Sequence, residues 1–124
     1  AIRDGSQVAV LDAATLAEGP RLSGFSNPGG IHVDPQGRYV AITNYGVPRL
    51  TVVGLPGGVQ RHVPLPGVGG WGLAGSRDGS RLYVQGAGGW LAEVDPLLAT
   101  TVRSIPATAA EGMLALTPDG ARLY

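Results

Sequence analysis

Short apolar runs alternate with polar positions along this chain, and glycine or proline cuts every run after a few residues. In Arg81–Gln85 the alternation is plain: Leu82 and Val84 share one face of an extended segment, while Arg81, Tyr83 and Gln85 take the other. The same pattern predicts strands over 30–34, 39–44, 49–54 and 60–65, and again over 71–75, 81–85, 90–95 and 101–105. Their joints read DPQG, NYGVP, LPGG and LPGVGG, which are hairpin-turn compositions. No segment sustains a helical period, so the pattern predicts an all-β chain almost without helix.

The pattern also repeats. Tight-turn glycines fall at Gly37 in VDPQGRYVAI, Gly79 in GSRDGSRLYV and Gly120 in LTPDGARLY, 42 and then 41 residues apart. Each follows an apolar run and precedes an alternating strand. Four short antiparallel strands every ~41 residues is the period of a β-propeller blade. The reading is therefore one β-propeller domain or segment over 1–124, with three four-stranded blades. The repeats run approximately 30–70, 71–111, and 112–124 joined with 1–29.

On these residues the chain resembles the YVTN-type β-propeller repeat family. GLAGSRDGSRLYVQGAGGWLAEVDPLLATTVRSIP and SQVAVLDAATL follow that consensus along the whole chain. Two departures stand out: YVAITNYG shifts its aromatic, and Gly54 stands where the other units carry Asp12 and Asp95. The resemblance implies a secreted, periplasmic or cell-surface protein and a non-enzymatic scaffold for binding or self-assembly. Some relatives of the fold are lactonases or redox enzymes. The alternative is thus a segment of a larger propeller enzyme with its site at the central channel, drawing on His32, Glu111, Arg3 and Arg49.

The third repeat is divided. Twelve residues separate Tyr83 from the end of its third strand at Asp95, and the chain's first twelve residues end equivalently at Asp12. Placing Ala1 after Tyr124 rebuilds the unit without a gap. Two expectations follow and stay open here. The halves pair as a closing device, with two or three copies completing a ring, because closure removes sheet edges. Otherwise these residues are one window on a longer propeller. Either way Ile31, Val33, Leu73, Leu114 and Leu116 are expected to face water in an isolated arc, so partners are a homo-oligomer or further blades. The start at Ala1 rather than Met points to a processed or trimmed N-terminus.

Composition narrows the chemistry. Nine Arg balance nine acidic residues, scattered along the chain, which removes the electrostatic case for nucleic acid or an anionic membrane. No apolar run approaches the ~20 residues that span a bilayer, so no membrane insertion is expected. The absence of cysteine excludes disulfides and thiolate ligands. Glycine-rich GLPGG and GAGG open no helix, so they are turns rather than phosphate cradles. No GxSxG elbow occurs, and no catalytic residue, metal or cofactor is expected.

Candidate ligand-binding positions on the loop face of the predicted propeller are His32, Asn44, Tyr45, Trp71 and Glu111. Trp71 could stack on a ring or sugar, or cap the ring top. His32, on an innermost strand, reads best as a spacer opposite Ala74 and Ala115. Trp90 reads as a blade-packing residue, and His62, on an outer strand, as surface. Asp34, Asp78 and Asp119 belong to turns between first and second strands, and Asp12 and Asp95 to turns after the third. Any small-molecule or protein ligand stays unnamed.

Overall fold

A computed structural model describes residues 6–108 and 112–124. Its strands are β1 (Gln7–Leu11), β2 (Glu18–Ser23), β3 (Pro28–Val33), β4 (Tyr39–Asn44), β5 (Arg49–Gly54), β6 (Gln60–Pro64), β7 (Gly70–Gly75), β8 (Leu82–Gly86), β9 (Trp90–Asp95) and β10 (Thr100–Pro106). The all-β expectation holds: every pairing is antiparallel, and no helix occurs among the described residues. The predicted strands lie within two residues of the observed ones.

The turns explain why the chain doubles back where it does. Gly37, Gly79 and Gly120 adopt φ of 71°, 69° and 72°, a left-handed conformation that glycine reaches without a Cβ penalty. Each donates its amide to a carbonyl three residues back, on Asp34, Ser76 and Thr117 respectively.

Strands β3-β4-β5-β6 form one meander sheet and β7-β8-β9-β10 another, each in sequence order. β1 and β2 form a separate two-stranded sheet. The two meanders stack face to face. Tyr39, Ala41, Leu50, Val52 and Val63 of the first meet Leu73, Leu82, Val84, Ala92 and Val94 of the second in one buried cluster. The β1–β2 hairpin covers the opposite face of the first sheet, where Val8 and Phe25 pack with Val40, Ile42 and Val53. Consequently every residue of β4 is buried, whereas β9 alternates buried with half-buried positions. One sheet is covered on both faces. The other is covered on one.

At the inner edges, β3 meets β7, and β7 meets the C-terminal segment, so closely that glycines are obligatory. A Cβ on Gly30 would collide with the Trp71 carbonyl, and one on Gly72 with the Gly112 carbonyl. This close approach changes one expectation. Leu73 is buried, with 8 % exposure, because it packs over Gly30 in the seam. Leu114, beside Gly72 of β7, and Leu116 are half-buried, while Ile31 (47 %) and Val33 (56 %) are exposed as expected.

The two ends of the chain do not pair with each other among the described residues. The C-terminal segment pairs Leu116 with Leu123 and lies beside the second meander, where Leu114 approaches Gly72. The β1–β2 hairpin lies beyond the first meander, on the opposite flank.

Candidate binding face

The register separates the two ends of the sheets. Pro28 sits opposite Asn44, and Val33 opposite Val40. One end therefore gathers the segments around Gly24–Asn27, Tyr45–Pro48, Pro66–Gly69 and Ala87–Gly89. The other end carries the glycine turns.

At the first end Tyr45 and Trp71 meet edge to face, their ring centroids 6.1 Å apart at 90°. Trp71 Cε3 lies against Gly29, where a Cβ would stand 3.2 Å away, so the missing side chain makes room for the indole. Both aromatics are half-buried. Such a pair contributes ~0.5–1.5 kcal/mol beyond its burial and still presents a flat apolar surface.

Asn44, the residue before Tyr45, is fully buried. Its side-chain oxygen accepts from the Ser26 amide at 2.9 Å, and its amide nitrogen donates to Thr51 Oγ1 at 3.0 Å and the Arg49 carbonyl at 3.2 Å. Those bonds saturate it. Asn44 ties three segments together and offers nothing to a ligand, which corrects its placement among loop-face contacts.

His32 is a second correction. Its partner across the sheet is Ala41, three residues from Asn44, so it lies ~10 Å along the strand from the aromatic pair. Its imidazole wedges between the sheets against Gly75, whose absent Cβ leaves the space. Nε2 is buried without a hydrogen-bond partner. Desolvation holds the ring below the usual histidine pKa, partly opposed by the nearby Asp34 charge. That geometry fits the spacer role. Glu111 and Arg3 lie outside the described residues, so of the five candidates the structure brings together Tyr45 and Trp71 alone. His62 is exposed on β6, and its Nδ1 lies 3.3 Å from Thr51 Oγ1. No group of three or more His, Asp and Glu converges as a metal site among the described residues.

The repeated aspartates are turn builders. Asp12 Oδ1 accepts from the amides of Ala14 and Thr15, and Asp95 Oδ1 from those of Leu97 and Leu98. Asp78 accepts from both the hydroxyl and the amide of Ser80 and from the Ser76 hydroxyl. Those bonds lower its pKa to about 2, with the Ser76 hydroxyl contributing most.

Two features were not visible in the sequence. The first is a clamp across the seam. Arg38 grips Asp34 with two nitrogens, at 2.6 and 3.2 Å, and donates to the Asp78 carbonyl at 2.7 Å. Tyr39 donates its hydroxyl to the Gly79 carbonyl at 2.9 Å. Burial, reinforced by the Asp34 charge, pushes the phenol up to about 12. The signal was the tripeptide GRY, where the other repeats read GSR and GAR.

The second is the uncovered face of the β7–β10 sheet. Tyr83, Leu91, Glu93, Arg103, Ile105 and Leu123 line a shallow groove of about 160 Å³. Glu93 lies between two guanidinium groups there, 3.3 Å from Arg81 and 2.5 Å from Arg103. Arg81 also reaches Asp95 at 3.0 Å.

No protein-family model matches the sequence, and no curated protein matches it. Among solved structures the chain is similar to Kuenenia stuttgartiensis hydrazine synthase, with a TM-score of 0.88 and 24 % identity. The likeness covers 98 % of this chain and 36 % of that one, so this chain spans about a third of its neighbour's length. At that identity the likeness speaks for the fold, an all-β architecture of stacked antiparallel sheets.

Proposed function

We propose that this chain is a β-propeller scaffold that works by joining further blades. Each four-stranded meander is one blade, and the hairpin and the C-terminal half are partial blades on either flank. Recognition would fall to the loop end, where Tyr45 and Trp71 offer an aromatic surface.

One observation carries the reading: the uneven burial of two equivalent sheets. In the first blade, Ala41, Leu50, Val52 and Val63 are each at most 0 % exposed, because the second blade lies on them. Their counterparts 41 or 42 residues on are Tyr83, Leu91, Glu93 and Ile105, and none of them is fully buried. A sheet that buries this face in one repeat and leaves it open in the next is built to receive another blade. Burying apolar surface contributes ~25 cal/mol per Å², so covering the groove favours association.

Light scattering after size exclusion tests this. The expected result is a mass above the 12.6 kDa of one chain, with Ile105→Asp shifting it downward. Ile105 is 54 % exposed in the single chain, so the substitution leaves the fold intact. A single-chain mass at every concentration would overturn the reading.

A further inference from the structure

The groove's shape is general, but its occupant can be named. We propose that the open face of the β7–β10 sheet receives the β1–β2 hairpin of a second copy of this chain. This rests on the blade-joining reading above and adds the partner and the contacts.

The hairpin is a structural duplicate of β9–β10. Asp12 corresponds to Asp95, an offset of 83 (95 − 12), and the same offset relates every paired position. Leu11 opposite Glu18 matches Val94 opposite Thr101, and Ala9 opposite Arg21 matches Ala92 opposite Ser104. Both pairs are interrupted by an irregularity at the same step, between Ala9 and Leu11 in one and between Thr101 and Arg103 in the other. Both tight turns are held by an aspartate accepting two amides. Both close on a non-glycine residue in the left-handed region, Leu16 at φ 58° and Ala99 at φ 55°.

The duplicate matters because β9–β10 is already docked. Arg61, on the first blade, donates to the Leu97 carbonyl in the β9–β10 turn at 2.6 Å. Thr101 donates its hydroxyl to the Pro64 carbonyl at 2.5 Å. Ala92 and Val94 enter the buried cluster with Leu50 and Val52.

The second blade carries the receiving half of the same contacts. Arg103 stands 42 residues after Arg61, and Pro106 stands 42 after Pro64. Arg103 Nε is engaged by Glu93, and its terminal nitrogens have no hydrogen bond among the described residues. They are the donors for the Ala14 carbonyl, the counterpart of Leu97. Ala9 and Leu11 are the counterparts of Ala92 and Val94, and Leu11 is 52 % exposed in the single chain. In the assembly it would lie over Glu93 and Leu91. The hairpin would also sit beside the Leu116–Leu123 pair, completing a four-stranded blade from two chains.

Engineered disulfides test the contact, on a chain with no cysteine of its own. Pro64→Cys with Thr101→Cys is the internal control, placed where the Thr101 hydroxyl meets the Pro64 carbonyl at 2.5 Å. The test mixes two single variants, Glu18→Cys and Pro106→Cys, under mild oxidation. The expected result is a mixed disulfide dimer as the main product, with the control pair closing within one chain. Adding Arg103→Ala to the Pro106→Cys chain is expected to weaken association about tenfold by removing a charged donor. A closed control with no mixed dimer, in a protein whose mass still exceeds one chain, overturns the hairpin as occupant and leaves blade joining standing. Neither a mixed dimer nor a raised mass would end both.

Discussion

Tyr39 and Arg81 occupy equivalent positions, 42 residues apart, and act in different directions. Tyr39 reaches across the seam to the Gly79 carbonyl, while Arg81 stays on its own sheet with Glu93 and Asp95. Removing the phenol hydroxyl leaves a buried carbonyl short of a donor. Tyr39→Phe is expected to cost ~1 kcal/mol in urea unfolding, with no change in the slope. The turn aspartates set the acid limit. Local hydrogen bonds depress the folded pKa of Asp12, Asp78 and Asp119, so their contribution is present above the ordinary carboxylate value of 3.8 and is lost as pH falls, toward about 2 for Asp78. Melting temperature is expected to drop through that interval, and Asp78→Asn is expected to flatten part of the drop. The turn roles of Asp12 and Asp95 were legible because an aspartate serves its own neighbouring amides. Asn44 was not, since Ser26 lies 18 residues away and only the fold brings it near.

Strand positions were readable from alternation and turn glycines, both of which act over a few residues. The in-strand glycines were harder. They lie among so many turn glycines that composition alone marks them as punctuation, yet Gly72, Gly75 and Gly86 sit inside or at the ends of β7 and β8. Their purpose depends on what crosses them: the Gly112 backbone, the His32 imidazole and the Trp90 indole. Trp90 is 8 % exposed over Gly86, as its packing role required. Gly86→Ala drives a methyl into that ring and is expected to cost ~1–3 kcal/mol by calorimetry. The loss should shrink when combined with Trp90→Ala, because the collision partner is then gone. His32 offers a second check on the seam. Its lowered pKa means that stability is present above 6.5 and declines as pH falls below it. His32→Ala is expected to remove that part of the decline in a pH series of melts.

For the whole molecule, periodicity announced the repeats but could not show which faces meet. Alternation puts Tyr83 on one face of its strand with Arg81 and Gln85, and says nothing of what lies against that face. The burial of Ala41 and Val52 against the second sheet is seen only once the chain is folded. Amide exchange should mirror this arrangement. β4 and β5 are expected to be slowest, with β10 and the β1–β2 hairpin fastest in dilute protein and slower as concentration rises.

The glycine-lined seam also governs how such a molecule can change over generations. At Gly30 and Gly72 even a methyl group has nowhere to go, while six of the seven residues of β10 are exposed. Tolerance to substitution therefore rises from β3 and β7 toward β10. A saturation library would deplete alanine at the inner strands before it depleted charge at the outer ones. Changes can then accumulate on the outer strands without disturbing the contact that holds neighbouring sheets together.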